Sequence, residues 1–109
     1  MDARGVDAVF DALGDSSRRT LVREIAARGD ATATELAAQL PVTRQAVAKQ
    51  LTTLADAGLL RTTRSGRETR YAVTPEPLGD AVGWMVEVGA RWDERLAKLG
   101  RSLRGRASR

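Results

Sequence analysis

The chain has 109 residues, which is one domain with room for a single modest core. Its 18 lysines and arginines outnumber its 14 acids, and a pI near 10.6 suits a polyanionic partner. With no cysteine and no histidine, disulfides, thiolate metal sites, the commonest metal ligand and the usual general base are all excluded.

Val6, Val9, Phe10 and Leu13 follow the spacing of a short amphipathic helix, which Gly14 closes. Asp15 caps a second helix whose apolar stripe is Leu21, Val22, Ile25 and Ala26, and Gly29 stops it. Thr32, three residues before Glu35, opens a third helix as a capping box. That helix turns Leu36, Ala37 and Leu40 inward and ends at Pro41. After a turn of about three residues, Thr43 caps a fourth helix with Val47, Leu51 and Leu54 on its buried face. Gly58 ends it. Leu59 to Arg64 and Glu68 to Val73 are strand candidates around a Ser65-Gly66 turn, with Leu60, Tyr71 and Val73 facing inward.

Pro75 and Pro77 open the last helix, where a missing amide proton costs nothing. Leu78, Val82, Met85, Gly89, Trp92, Leu96, Leu99 and Leu103 step along it by four and three. Ala81, Trp84 and Val88 form a second row beside them. This apolar face is too wide for one helix on a small domain. Leaving both tryptophans in water costs several kcal/mol, at about 1.5–3 per large apolar side chain. A second subunit is the economical cover, with Val6, Val9, Phe10, Trp84, Val88 and Trp92 as the expected interface. Residues 1–100 read as one domain that includes this dimerisation surface, and the arginine-rich residues 101–109 as a frayed tail.

The segment 43–74 carries six basic residues against two acidic ones, a net charge of +4 that equals the charge of the whole chain. A capped helix followed by a basic hairpin is the outline of a winged-helix DNA reader. With Val47 buried, a turn of 100° per residue sets Gln45, Lys49, Thr52 and Asp56 on the opposite face, with Ala48 between. Such a helix meets base edges with its N-terminal half. Gln45 suits adenine, Lys49 suits the acceptor edge of guanine, and Thr52 suits base or phosphate. Ala48 permits close approach or contact with a thymine methyl. Thr43 and Arg44 stand at the positive end of the helix, where a phosphate binds. Arg64, Arg67 and Arg70 crowd the hairpin and repel one another unless a phosphate backbone neutralises them. Two plainer readings stand beside these: an ordinary solvated helix face, and edge-strand charges that discourage aggregation. Arg18 and Arg19 read as structural, paired with Asp15, Glu24 or the third helix.

The runs VFDALGDSSRRTLVREIA, TATELAAQLPVTRQAVAKQLTTLADAGLL and TRSGRETRYAVTPEPL resemble the ArsR-type (ArsR/SmtB) family of bacterial winged-helix repressors over about residues 6–96. The resemblance implies a mainly α fold with a small β-hairpin, in the order α-α-α-α-β-β-α. It also implies a homodimer through the first and last helices that represses by occupying a promoter palindrome, its reading helices one DNA turn apart. Metal-sensing members carry a Cys-x-Cys pair near the start of the third helix, where this chain has Thr32-Ala33-Thr34. Others use Asp and His on the last helix, where there is no histidine. Sensing of arsenic, cadmium or zinc is therefore not carried over, and no metal or cofactor is expected. Gln50 stands where many relatives have histidine, a departure that alters either a DNA contact or a flank of the core, and it counts as a further DNA-contact candidate.

An enzyme would need a nucleophile–base pair, a metal or a phosphate loop, none of which is legible. The remaining rivals are a winged helix used for protein–protein contact or dimerisation alone, and a nonspecific architectural DNA binder. No signal peptide is visible at the start, and no window nears the ~20 apolar residues of a membrane span, so a cytoplasmic, nucleoid-associated protein is expected. The identity of any small-molecule effector is not written in this pattern.

Overall fold

The computed structural model describes residues 3–107, and side chains from Gly5 to Ser102. The elements run α1 (Ala3–Leu13), α2 (Ser16–Arg28), β1 (Ala31–Thr32), α3 (Ala33–Gln39), α4 (Arg44–Asp56), β2 (Leu60–Ser65), β3 (Glu68–Val73) and α5 (Pro75–Ala107).

Each helix boundary has a local cause. The Asp15 carboxylate accepts from the amides of Ser17 and Arg18, satisfying donors that α2 itself cannot. Those two hydrogen bonds help to hold the Asp15 carboxyl below its usual range, the bond from Ser17 most strongly. Thr32 and Glu35 form the expected capping box: Thr32 Oγ1 accepts from the Glu35 amide at 3.1 Å, and Glu35 Oε1 from the Thr32 amide at 2.9 Å. Thr43 Oγ1 accepts from the Ala46 amide at 3.0 Å and starts α4. At its other end, Leu59 N–H donates to Leu54 C=O and Gly58 N–H to Ala55 C=O. With Gly58 at φ 83°, this is a Schellman stop, and both Leu54 and Leu59 are fully buried beneath it.

The core gathers one stripe from each element. Val9, Leu21, Ile25, Leu36, Val47, Leu51, Leu54 and Leu59 are all sealed from solvent, with Leu60 and Ala81 at the margin. The buried faces expected for α2, α3 and α4 are those observed, although Ala26 is exposed. Tyr71 and Val73 pack against this core while staying partly exposed.

The sheet has three strands, not two. The short β1 pairs antiparallel with β3, Ala31 opposite Tyr71 and Thr32 opposite Arg70, giving the order β1-β3-β2. A two-residue strand is too short to show alternation, so only pairing with β3 reveals it. Between β2 and β3 the loop is Gly66-Arg67, with positive φ at Gly66 alone, the backbone sense of a II′ hairpin. Beyond Leu60 every residue of β2 is exposed, so the hairpin projects from the body as a wing.

α5 runs 33 residues and continues through the stretch expected to fray as far as Ala107. It packs on α1, and the Phe10 and Trp84 rings meet edge to face at 5.3 Å. Leu78 and Ala81 of the expected rows turn to the core, while others face outward: Trp84 is 49% exposed, Met85 49%, Trp92 58%, Leu96 59% and Leu99 56%. The side chain of Leu103 and residues 108–109 lie outside the described part. Val9 is a correction: at 0% exposure it belongs to the core of its own chain and has no surface to offer a partner. Val6 is nearly as buried, while Phe10 and Val88 keep part of their surface.

Candidate nucleic-acid interface

α3, a four-residue turn and α4 make a helix-turn-helix, and the wing stands beside it. Because Val47, Leu51 and Leu54 anchor α4 in the core, the opposite face is presented to solvent. Gln45, Lys49, Thr52 and Asp56 are all exposed there, with Ala48 half-buried beside them. The Thr52 hydroxyl donates to Ala48 C=O at 3.1 Å, which aims its lone pairs outward as acceptors. Thr43 is committed as the helix cap, and Arg44 donates from Nε to Thr34 Oγ1 at 2.9 Å, which steers its guanidinium along the start of α3.

A groove of about 600 Å³ separates the start of α4 from the wing. Arg44, Arg64 and Arg67 line it, together with Ala48, Glu35 and Glu68. Arg64 and Arg67 are exposed, Arg64 with a hydrogen bond to Thr69 Oγ1 at 3.3 Å. Three guanidinium groups thus face one trench, and each can donate to an oxyanion.

Two of the expected contact residues are placed differently. Arg70 is committed within the chain: its Nη2 lies 2.9 Å from Asp30 and 3.2 Å from Glu35, and its Nη1 3.3 Å from Glu68. The carboxylates hold its pKa above the ordinary arginine value, Asp30 most strongly. In return, the Arg70 hydrogen bond lowers Asp30, while Glu35 is lowered first by the Thr32 amide. Arg70 therefore cancels acids that flank the groove and ties the wing to the start of α3. Gln50 turns toward α2, where its Oε1 accepts from Arg18 Nη1 at 3.1 Å.

Arg18 and Arg19 are structural, as expected, but chiefly through other partners. Arg18 donates to the Ala12 and Asp11 carbonyls and Arg19 to Leu13, so the pair caps the C-terminus of α1. Only the long 3.9 Å contact to Asp15 matches the expected ion pairs. Asp30, Thr34 and Arg18 were missed as parts of the site. Their partners stand 40, 10 and 32 residues away, and no local pattern marks such pairs.

The helix-turn-helix domain family matches residues 13–63. An HTH-type transcriptional regulator of Bacillus subtilis, YuzN, is 41% identical over 86 residues, covering 72% of this chain and 94% of that protein. An ArsR-like transcriptional regulator from Rhodococcus is 38% identical in its solved structure, with a TM-score of 0.80 over 90% of this chain and 89% of the other. The chain belongs to the ArsR-type family of winged-helix transcriptional regulators. Another similar structure, the AntR antimony-specific transcriptional repressor, is 32% identical with a TM-score of 0.62, covering 88% of this chain and 83% of that one. This ArsR-type chain lacks any cysteine or histidine, so soft-metal ligation by thiolate or imidazole has no donors in it. It is a DNA-binding regulator and not an enzyme. Among the described residues, no helix is long and apolar enough to cross a membrane.

Proposed function

We propose that this ArsR-type regulator is a homodimeric repressor that occupies a palindromic promoter operator without metal sensing. The observation that carries the reading is the arginine-lined groove beside the polar face of α4. It lets one subunit seat a phosphate backbone while Gln45, Lys49 and Thr52 face base edges, with Ala48 allowing close approach. Arg44, Arg64 and Arg67 are the proposed phosphate contacts. Arg70 supports the wing from behind, and Gln50 supports the helix.

The outward row of α5 supports the two-fold. Trp84, Val88, Met85 and Trp92 offer an apolar band that a monomer leaves wet, with Phe10 joining it from α1. A Cβ built on Gly79, Gly83 or Gly89 meets nothing within 4 Å in the chain itself, so these glycines leave room on α5 for another helix. The setting is the cytoplasm, on chromosomal DNA.

The test begins with selection of bound fragments from genomic DNA by the purified protein. On the operator obtained, Lys49→Ala and Gln45→Ala relax sequence preference. Arg67→Ala weakens operator and random DNA alike and reduces the slope of log K against log salt by about 0.9. Equal effects of all three on both DNAs would refute the division of labour, and no enriched sequence would refute specific repression.

A further inference from the structure

Arg18 and Gln50 are 32 residues apart, and their side chains meet across the gap between α2 and α4 at 3.1 Å. The rest of the Arg18 guanidinium is already engaged: Nε donates to Ala12 C=O and Nη2 to Asp11 C=O at 3.2 Å, both at the end of α1. Its root is fixed by the N-cap of α2, where the Asp15 carboxylate accepts from the Arg18 amide. Held by the end of α1 and the N-cap of α2 and only 20% exposed, this side chain is a bracket whose Nη1, 3.9 Å from Asp15, reaches on to α4.

Packing on that side of α4 is incomplete. An open cleft of about 210 Å³ lies between α2, the helix-turn-helix turn and α4, bordered by Leu21, Leu40, Val42, Val47 and Gln50. On this side the N-terminal half of α4 faces a cleft and not a packed neighbour, so a hydrogen bond across the gap bears on the tilt of the helix. Gln50 borders this cleft, and its hydrogen bond to Arg18 ties α4 to α2 there. Lys49 and Gln45, one residue and five residues before Gln50, move with it.

We infer that Arg18 is a positioning residue for DNA recognition: through Gln50 it sets the tilt of α4 relative to the α1–α5 layer. The inference rests on the proposed reading of DNA by α4. It assigns Gln50 no base of its own. Because α1 carries Phe10 against Trp84, the same bracket links the helix layer of the proposed two-fold to the angle at which each subunit reads.

The test uses the full chain and the selected operator, with every base pair of one half-site varied in turn. Gln50→Leu keeps a helix-compatible side chain and leaves the α1 cap of Arg18 intact. Its operator-to-random preference should fall roughly three- to ten-fold, the range one hydrogen bond controls. The loss should spread over all positions read by α4, with the salt slope unchanged. Arg18→Lys keeps the charge but loses the fork, and should give the same flattened profile, with the double variant no worse than either single one. Hydrogen exchange at the α4 amides of the free protein should quicken in both variants. A loss confined to one base pair would make Gln50 a direct contact and overturn the inference, as would additive effects of the two substitutions. Failure of the wild-type chain to prefer any sequence would instead refute the reading beneath it.

Discussion

Arg70 on β3 and Asp30 before β1 are forty residues apart in sequence and 2.9 Å apart in space. The arginine also reaches Glu35, which is already bonded to the Thr32 amide, so one guanidinium joins the wing to the capping box of α3. The base of the wing is held by strand pairing and its flank by this ion cluster.

This arrangement predicts an effect opposite to the simple charge expectation. Asp30→Asn removes a negative charge near the groove, which alone would favour DNA. If the wing is steadied through Arg70, operator affinity instead falls, by up to about five-fold for a partly exposed pair. Arg70→Ala should lower it similarly, and the double variant should show no further loss. Fluorescence anisotropy titrations of all three at one salt concentration read the cycle.

The same cluster predicts a pH dependence. Asp30 and Glu35 both titrate below their ordinary values in the folded chain, so their contribution is complete above the unfolded carboxylate range near about 4. It is lost progressively as the pH falls through the lowered values. Urea midpoints between pH 6 and pH 2.5 should therefore decline on the acid side, and Asp30→Asn should make that decline shallower.

Trp84 is half-exposed on α5 while its ring meets Phe10. Trp84→Glu should yield monomers with weak operator affinity but a folded helical spectrum. Analytical ultracentrifugation of an unchanged dimer would remove Trp84 from the proposed interface.

Leu51 is wholly enclosed and Lys49, two residues earlier, is exposed. Leu51→Ala should cost about 2–5 kcal/mol of stability through the cavity it leaves. Lys49→Ala should stay within about 0.5 kcal/mol while still relaxing specificity. Chemical denaturation followed by circular dichroism separates the two.

Much of the fold was readable from short-range chemistry. Asp15, Thr32 and Thr43 cap helices because each oxygen meets an amide two or three residues ahead. Gly29, Gly58 and Gly66 take the positive φ at which elements end or turn. The stripe Val47, Leu51 and Leu54 fixes which face of α4 is buried, and hence that Gln45, Lys49 and Thr52 are exposed.

Other roles depend on which elements the chain brings together. Arg64, Arg67 and Arg70 look alike in sequence, yet strand pairing lays Arg70 beside Thr32 and within reach of three carboxylates, while the other two project with the wing. Val9 looks like an interface residue until the core closes over it, and only the fold gives the Gln50 amide a partner, Arg18 of α2. Caps, turns and helix faces span a few residues, so local spacing determines them. The partner of a long side chain is decided by packing between distant segments, and only the folded chain sets those distances.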